Sequence, residues 1–535
     1  MNSPRLLAIL AFIILGAGCL VAGGWLRSVY VPEWAALDTT QTPPALRPWA
    51  VEADCYSQLA RVQRILQGQG LIQNHFKVEN WPEGLIPSTT APFDYVILLL
   101  YAPLSLFTGH PLDWAGALVS PALWIALVLF WMLFRSREFN LAGRTLFLIG
   151  STALPAFIWA TACGRPRHQS LILALMATGL TAEYERWQIE LTPKRAWNIF
   201  AGVVWGMACW TSLFEPVFVV TALVVFNLIF RRKENPAFLI SLGVVMLIAL
   251  LLEGVHFFVP PPEYQEALVR WLSTIAEVRP VSFNGMLQQM TFSLLLLPYL
   301  AWRLWPRSNG NKTDALLILL TLLLTLFTAF QGRWIYYAAL GELFLIVRYY
   351  QKTPISWTRL AVLLIFLASL VEADYVQVRG RARLPANQPS LQLAEIARSI
   401  DAPGGIMAPW WLSPALLYFS GDPIVSGSSH CGISGIVASA KFFAATNWVD
   451  AERILRERQA HWVVVWDDQH YVYPLLDSSR QIIGLPSYSE NDAPAAEATV
   501  AQVLIEDRDN VPGWLHLRGV TPDLKLYEYV PDGAK

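Results

Sequence analysis

The feature that most constrains how this chain can fold is a series of long apolar segments separated by short charged loops. A helix crosses the hydrocarbon of a bilayer with about 20 apolar residues. We predict eleven such spans and a shorter apolar helix at 93–108 that lies in the membrane or re-enters it. The first span is interpreted as an uncleaved anchor, because its apolar run is longer than that of a typical signal peptide. The eleven predicted spans are 6–27, 113–134, 143–161, 168–184, 197–213, 215–230, 237–258, 286–304, 314–331, 333–349 and 357–373.

The composition indicates lipid as the solvent for much of the chain. Of the 535 residues 55% are hydrophobic and only 15% are charged, whereas a soluble domain has about 25% charged residues. A formal net charge of −1 gives no electrostatic basis for binding nucleic acid. The 23 Trp and 18 Tyr fit a protein with two membrane–water interfaces, where amphipathic rings collect. We therefore predict a polytopic α-helical membrane protein.

Basic residues in the loops predict how the spans are oriented. With the N-terminus inside, alternate loops fall on the cytoplasmic side, and each of them carries Lys or Arg. The loops on the other side are richer in acids, and they include the long first outer loop at 28–112 and another at 259–285. We expect a protein of the bacterial plasma (inner) membrane whose C-terminal domain is non-cytoplasmic. The basic residues of the inner loops are Arg135, Arg137, Arg144, Arg186, Lys194, Arg195, Arg231, Arg232, Lys233, Arg303, Arg307, Lys312, Arg348, Lys352 and Arg359.

A change of composition near residue 373 predicts two domains. Residues 1–373 would form a transmembrane domain and 374–535 a soluble α/β domain, because strand and helix patterns alternate in this tail. The segment 427–432 is a polar loop to which the sequence assigns no role. The predicted tail elements are helices at 391–400, 411–419, 438–445 and 448–459 and strands at 405–407, 461–466, 514–517 and 524–530.

Four groups of polar residues lie in loops that the predicted topology places on the outer face. They contain Asp54, the segment 164–169, Glu277 and Arg333. Carboxylates that meet at a membrane surface can hold a divalent cation or act as a base, and arginines beside them suit phosphate. The alternative for each group alone is a solvated surface charge, or an arginine that reaches to lipid head groups. Their location on one predicted face favours a joint site.

The order of these elements resembles the catalytic subunit of oligosaccharyltransferase, a membrane glycosyltransferase with the GT-C fold. The resemblance covers most of the chain: a first helix, a long first outer loop, many spans and a soluble domain that opens near a Trp-Trp pair. Asp54 in Glu-Ala-Asp-Cys-Tyr matches the first-loop Asp of the family, and the Thr-Ile-Ala-Glu segment ending at Glu277 matches its TIxE motif. Arg333 matches an arginine at the mouth of a span, and Trp410 and Trp411 match the start of its WWDYG motif.

The resemblance implies a reaction and a role for each matching residue. The family moves an oligosaccharide from a polyprenyl diphosphate carrier to asparagine in a protein. By this resemblance Asp54 is a ligand of a divalent metal, Mg or Mn, that also contacts the acceptor, and Glu277 contacts the acceptor and fixes the loop. Arg333 faces the diphosphate of the carrier. Trp410 and Trp411 contribute to a pocket that reads the hydroxyl residue of the acceptor.

Two departures from the family pattern change these expectations. After Trp411 the chain reads Leu-Ser-Pro in place of Asp-Tyr-Gly, so the tryptophans have a second interpretation, in which they close the soluble domain onto the membrane surface. Arg167-His168-Gln169 stands where the family has an acidic metal motif. His168 is then a candidate metal ligand together with Asp54, or a hydrogen-bonded residue at a helix N-terminus. Arg167 either takes over the work of the cation or marks a chain that is no longer active in the ordinary sense.

We therefore expect a divergent membrane glycosyltransferase that uses a polyprenyl phosphate or diphosphate sugar donor. Asp54 and Glu277 would be catalytic, while Arg333, Arg165 and Arg167 would stabilise charge growing on the departing phosphate. The expected partners are this donor, membrane lipid and a protein or glycan acceptor, with no nucleic acid. Two alternatives stay open: a transporter or flippase of lipid-linked glycan, and a non-catalytic scaffold in a cell-envelope assembly.

Overall fold

The structure is a computed structural model, and it describes most of the chain. Among the basic residues of the predicted inner loops, six lie outside the described residues: Arg135, Arg137, Lys194, Arg231, Arg232 and Arg307. The described ranges are 3–31, 34–38, 45–87, 91–134, 136, 138–187, 195–230, 233–254, 258–306, 312–381, 389–466, 474–486, 498–506 and 510–531.

Most of the described residues are helical, as the apolar segments predict. Helices that begin before residue 374 are α1 (Ser3–Val29), α2 (Ala53–Leu66), α3 (Pro92–Leu104), α4 (Pro111–Leu133), α5 (Leu141–Ala153), α6 (Pro155–Ala160), α7 (His168–Arg186), α8 (Arg195–Thr211), α9 (Glu215–Ile229), α10 (Pro236–Glu253), α11 (Gln265–Thr274), α12 (Phe283–Met290), α13 (Leu297–Leu304), α14 (Lys312–Phe330), α15 (Ile335–Lys352) and α16 (Trp357–Arg381). Helices of the tail are α17 (Pro389–Arg398), α18 (Ser413–Ser420), α19 (Ile433–Ala444), α20 (Trp448–Glu457), α21 (Pro474–Ile483) and α22 (Val500–Glu506).

Five helices within the described ranges are long and apolar enough to cross a membrane by length and composition: α1, α4, α10, α14 and α16. Three shorter apolar helical segments accompany them, among them α3 and α9. Large apolar side chains such as Ile14, Val21 and Leu251 are exposed on these helices, which fits lipid as their solvent. The chain is an integral membrane protein, as its composition predicts.

Two predicted spans are interrupted, each for a local reason. The span at 143–161 is divided between α5 and α6 at Pro155, which lacks the N–H that an unbroken helix needs. The span at 286–304 is divided between α12 and α13 near Thr291, whose φ of +68° is incompatible with a right-handed helix. Helical segments on both sides still occupy the predicted positions.

Two helices, α7 and α15, lie at the centre of the bundle, where protein rather than lipid surrounds them. Both contain polar residues. Every residue of α15 from Ile335 to Tyr349 is buried. The helices that pack against α15 include α5, α7 and α14. A helix enclosed in this way tolerates ionisable residues, which lipid-facing positions exclude. Arg167 and Arg333 lie just before the first residues of α7 and α15, so the two arginines stand at the same end of the bundle.

The tail folds around a small sheet, which confirms the predicted α/β character. The described strands are β1 (Ala35–Asp38), β2 (Ala45–Pro48), β3 (Gly405–Met407), β4 (Ala460–Trp466), β5 (Leu515–Val520) and β6 (Leu524–Tyr529). Four of them pair in the order β3-β4-β6-β5. β3 and β4 are parallel, with Ile406 opposite Trp462, and the other pairs of this sheet are antiparallel. β1 and β2 form a separate antiparallel pair in the predicted first outer loop.

The tail and the first loop share one hydrophobic core. Leu59 of α2 and Leu416 of α18 belong to the same cluster of buried residues. The hydroxyl of Tyr418 adds a polar link, because it donates to Asp113 at the start of α4 over 2.6 Å. This packing places the tail against the end of the bundle where α2 lies. The predicted division at residue 373 stays a prediction, and α16 runs through it without a break.

Candidate active site

One arginine brings together three carboxylates from two distant segments of the sequence. Arg167 reaches Glu52 through Nη1 at 2.8 Å and Asp54 through Nη2 at 2.7 Å. Its Nη1 also donates to one oxygen of Glu277, and its Nη2 donates to the other at 3.1 Å. The carboxylates stay accessible, since 49% of the Asp54 side chain and 26% of the Glu277 side chain are exposed. We call these residues, together with Arg165, the Arg167 cluster.

Two of the carboxylates lie at the N-terminus of α2, where negative charge is favoured. Glu52 is the N-cap residue, with an extended backbone, and Asp54 lies in the first turn. Unpaired N–H groups and the helix dipole stabilise anions at this position. Arg61 fastens the helix to α3 by donating to both oxygens of Asp94, at 3.0 and 3.1 Å. This buried bidentate pair fixes the position of α2 against α3.

A glycine with positive φ directs the chain toward Arg167. Gly164 has a φ of +72°, and a Cβ atom there would lie 2.6 Å from the Cβ of Trp34 and 2.8 Å from the carbonyl oxygen of Trp49. A side chain therefore fits neither the backbone conformation nor the space. The carbonyl of Gly164 accepts a hydrogen bond from the N–H of Val51 at 3.1 Å. This bond aligns the segment leading to Arg167 with the residue that precedes the α2 N-cap.

Arg165 supports the cluster from behind. Only 2% of its side chain is exposed. Its Nη2 donates to Glu52 at 2.7 Å, its Nη1 donates to the carbonyl of Trp159 at 2.6 Å, and its guanidinium carbon lies 4.0 Å from the centre of the Trp159 ring. These contacts give Arg165 the task of holding Glu52. Its predicted contact with substrate stays a prediction.

Opposite charges keep Glu52 and Arg167 ionised. Burial alone would raise the pKa of Glu52, but the guanidinium groups of Arg165 and Arg167 hold this pKa below its ordinary value. Burial alone would lower the pKa of Arg167, but Glu52, Glu277 and Asp54 raise this pKa well above its ordinary value. Three carboxylates therefore surround the permanent positive charge of Arg167, and a second positive charge, that of Arg165, lies behind them.

Glu277 comes from a predicted outer loop that is anchored on two sides. It follows α11, and the carbonyl of Arg279 two residues later accepts the N–H of Gly332 at 3.0 Å. Arg270 of α11 donates from Nε to the carbonyl of Ile482 in α21 at 3.0 Å. The first contact joins the loop to the start of α15, and the second joins it to the tail. The position of Glu277 is therefore fixed by both parts of the chain.

A second arginine–carboxylate pair lies beside the Arg167 cluster. Arg333 donates from Nε to Glu215 at 2.7 Å, and its Nη2 lies 2.5 Å from the same oxygen. The hydroxyl of Ser212 donates to the other oxygen at 2.8 Å, so both oxygens of the buried Glu215 have partners. Arg333 keeps 23% of its side chain exposed and is close enough to Glu277 to interact with it electrostatically. The pair thus presents a fixed but accessible cation.

His168 lies between the two groups, but the arrangement does not fit the predicted divalent metal. It interacts electrostatically with Glu215 and Arg333 and also with Arg167 and Asp54. Among the residues that the structure describes, no three His, Cys, Asp or Glu side chains are grouped so as to hold a metal ion. The carboxylates that could serve contact the guanidinium of Arg167. A metal ligated by Asp54 and His168 would have to displace that cation.

Glu79 is a buried carboxyl near the site that the sequence analysis did not identify. Burial raises its pKa to about 7, the charge of Asp54 adds to this effect, and Arg61 opposes it. Its Oε1 accepts the N–H of Ser429 at 3.4 Å. No local sequence pattern distinguishes Glu79, because its burial depends on the tail, which contacts it through Ile424 and Ser429.

The polar loop at 427–432 of the tail also reaches the site. The hydroxyls of Ser428 and Ser57 lie 3.1 Å apart, which joins the loop to α2. Burial and the charge of Arg333 lower the pKa of His430. A neutral histidine therefore stands near the cation of Arg333. The sequence analysis assigned this loop no role, because nothing in its local pattern indicates that it lies beside α2 and Arg333.

Trp410 and Trp411 belong to a row of packed aromatic rings. The ring centres of Trp271 and Trp410 lie 5.5 Å apart, those of Trp410 and Trp411 also 5.5 Å, and those of Trp411 and Trp466 6.0 Å. The row runs from α11, in the loop that carries Glu277, to the end of β4. It therefore attaches the tail to that loop. A role for the two tryptophans in reading an acceptor stays a prediction.

Comparisons with known proteins identify the fold. No protein-family model matches the chain, and no curated protein sequence matches it. The oligosaccharyltransferase of Archaeoglobus fulgidus in its apo form aligns with a TM-score of 0.59 at 14% identity, over 84% of this chain and 69% of that one. ArnT from Cupriavidus metallidurans bound to undecaprenyl phosphate aligns with a TM-score of 0.55 at 12% identity, over 98% of both chains.

Two further structures of the Archaeoglobus fulgidus enzyme contain ligands. One holds an inhibitory peptide and a dolichol-phosphate and has a TM-score of 0.57. The other holds Zn and sulfate and has a TM-score of 0.56. The Archaeoglobus fulgidus enzyme and ArnT are both GT-C glycosyltransferases. At 14% identity or less this likeness shows the fold, and the GT-C fold expected from the sequence is confirmed.

Proposed function

We propose that the chain is a membrane glycosyltransferase that moves a sugar or oligosaccharide from a polyprenyl phosphate or diphosphate carrier to an acceptor. The observation that carries the proposal is the convergence of Asp54 and Glu277 on Arg167, beside Arg333, at one end of a GT-C bundle. The neighbours in which dolichol-phosphate or undecaprenyl phosphate is bound support it. An arginine that is fixed but accessible is suited to the phosphate of such a carrier.

The proposed chemistry is an inverting displacement at the anomeric carbon. The nucleophilic atom of the acceptor forms a bond to this carbon while the bond to the carrier oxygen breaks, and the phosphate leaves with that electron pair. The proton of the acceptor passes to Asp54. Arg167 holds Oδ2 of Asp54 at 2.7 Å, and no hydrogen bond within the described ranges involves Oδ1. Glu277, gripped by both terminal nitrogens of Arg167, orients the acceptor.

Arg333 is placed to stabilise the charge that grows on the departing phosphate. Glu215 holds it through Nε and Nη2, so its guanidinium does not need to reorganise during the reaction. Fixed donors aimed at developing charge are often the largest single contribution to catalysis. His430 stands near Arg333 and is neutral at pH 7, because its pKa is lowered from an ordinary value of 6.5. It can therefore donate a hydrogen bond without adding charge.

We propose a protein or glycan acceptor on the non-cytoplasmic face of the bacterial plasma membrane, with the tail from 374 as a separate domain on that face. Ser413 stands in the segment that replaces the Asp-Tyr-Gly of the family motif. It is buried, and its hydroxyl interacts with the carbonyl of Pro409 at 3.0 Å. It offers no carboxylate to a sequon hydroxyl, which favours an acceptor other than the standard sequon.

The test supplies purified protein in lipid with a panel of polyprenyl-linked sugars and measures release of the carrier phosphate. Asp54→Asn and Glu277→Gln are compared with the wild type and with Glu266→Gln. Glu266 is the matched control, because it lies in the same predicted loop as Glu277 but 87% of its side chain is exposed. We expect turnover by the wild type and the control and a large loss in both site variants. Turnover that is unchanged in both site variants would overturn the assignment of Asp54 and Glu277. The absence of turnover with any donor would favour a non-catalytic scaffold.

A further inference from the structure

We infer that Arg167 is the resident cation of this site and that the chain needs no divalent metal. The catalytic consequence of this inference rests on the proposed function, whereas the statement about metal binding does not. The observation behind it is the placement of the Arg167 guanidinium among Glu52, Asp54 and Glu277. The segment that carries Arg167 is also the one that resembles an acidic metal motif in oligosaccharyltransferases.

The guanidinium already makes the contacts that a hard divalent cation would make. Such an ion gathers carboxylate oxygens from separate segments into one coordination shell. Arg167 gathers Glu52 and Asp54 from the start of α2 and Glu277 from a loop more than two hundred residues later. Its planar fork supplies several donors with fixed directions, which suits three carboxylates arranged around it.

Arg167 is also difficult to displace. Only 10% of its side chain is exposed, and a guanidinium does not lose its charge in proteins. Its backbone is held at the start of α7, because its N–H donates to the carbonyl of Arg165 at 2.8 Å and its carbonyl accepts the hydroxyl of Ser170 at 2.7 Å. A divalent ion entering the cluster would meet this like charge and would find Oδ2 of Asp54 and both oxygens of Glu277 already bound to it.

The exchange of a metal for an arginine changes how the site works. A guanidinium carries one positive charge, so it orders Asp54 and Glu277 relative to each other but contributes less to neutralising a phosphate than a dication does. Arg167 is therefore a positioning residue, which acts through the two carboxylates. Most of the stabilisation of the departing phosphate then falls to Arg333.

The test measures Mn²⁺ binding by the loss of the free-ion signal in electron paramagnetic resonance, for full-length wild type, Arg167→Asp and Arg458→Asp. Arg458 is the matched control, because its side chain is 11% exposed, against 10% for Arg167, but it is paired with Glu83 and not with three carboxylates. We expect no stoichiometric binding to the wild type or the control. Arg167→Asp should bind about one Mn²⁺ per chain, since it removes the cation and adds an oxygen ligand. Carrier-phosphate release by the wild type should be unchanged in EDTA.

Stoichiometric binding of Mn²⁺ to the wild type, or loss of its turnover in EDTA, would overturn the inference. A folded Arg167→Asp that binds no Mn²⁺ would also overturn it, because Arg167 would then not stand in a potential metal position. If that variant fails to fold, the wild-type measurements alone decide. If no donor is turned over, the binding measurements still decide, so failure of the proposed function is distinguishable from failure of this inference.

Discussion

Two arginine–carboxylate clusters lie at opposite ends of α7 and α15, and they differ in how open they are. The Arg167 cluster lies where these helices begin. At their other ends Arg348 contacts Asp314 at 3.1 Å and Glu138 at 3.1 Å, and Tyr184 donates to Asp314 at 3.2 Å. We call these four residues, with Lys352, the Arg348 cluster. Only 3% of the Arg348 side chain and 2% of that of Asp314 are exposed, against 49% for Asp54.

The difference shows which cluster can take part in chemistry. The charges of Arg348 and Asp314, at the centre of the Arg348 cluster, are paired with each other and buried, so the role of this pair is to hold helices together. The carboxylates of the Arg167 cluster are likewise paired with an arginine, but they remain partly exposed. An ordered charge that remains accessible is the arrangement that a reaction site requires. The two clusters should therefore respond in opposite ways to removal of a charge.

The largest expected effect is a loss of activity without a loss of stability in the Arg167 cluster. Asp54→Asn should lower the rate of carrier-phosphate release by about 10²- to 10⁴-fold, because it removes the proposed base. Its thermal unfolding temperature should change little, since the side chain is half-exposed. A parallel loss of activity and stability would show that Asp54 is a structural residue.

The opposite result, a loss of stability without a loss of activity, is expected in the Arg348 cluster. Asp314→Asn leaves Arg348 and Lys352 without their buried carboxylate, and breaking a buried pair costs about 3–5 kcal/mol. Thermal unfolding in detergent should occur at a clearly lower temperature, while turnover per folded molecule stays the same. An unchanged unfolding temperature would remove the distinction between the two clusters.

A conservative change at Arg167 sharpens the comparison. Arg167→Lys keeps the charge but loses the fork that grips both oxygens of Glu277, and hydrogen bonds between charged groups contribute about 1.5–3 kcal/mol. We expect carrier-phosphate release to fall about ten- to a hundredfold, with the enzyme still active. Arg167→Gln should lower it further, because the charge is lost as well. Equal rates for the two variants would show that the positive charge has no function.

The smallest expected effect concerns Glu79 and pH. Its pKa is raised by burial from 4.5 to about 7, so the native state holds a proton that the unfolded state releases between these values. Stability should therefore fall as pH rises from about 4.5 to about 7 and not change further through this group above that range. Glu79→Gln should flatten this part of the profile of unfolding temperature against pH. An unaltered profile would show that Glu79 is ionised in the native state.

Much of the fold could be predicted because its signals are local. Apolar runs marked the positions of the membrane helices, and the alternating patterns of the tail located β3 and β4 within a residue of their observed ends. The breaks at Pro155 and Thr291 were missed for different reasons. Pro155 lies inside a long apolar run, which favoured a continuous span despite the proline. The positive φ of Thr291 has no marker in the sequence.

The sequence predicted those site residues whose own side chains indicate a chemical role, but not the contacts between them. Asp54, Glu277 and Arg333 were recognised as a carboxylate pair and an arginine in matching order along the chain, and the structure brings them together. The role of Arg167 as the centre of the cluster was open, because only geometry shows which carboxylates it contacts. Glu79 was missed, since its burial arises from the contact between distant parts of the chain.

The most direct test of the central claim is a double-mutant cycle on the rate of carrier-phosphate release. The cycle uses Asp54→Asn, Glu277→Gln and the double variant, with a polyprenyl-linked donor that the wild type turns over. Residues that act through one shared arginine should be strongly non-additive, so the double variant should be little slower than the slower single variant. Effects that simply multiply would show that Asp54 and Glu277 act independently, and the account of one reaction centre organised by Arg167 would then be wrong.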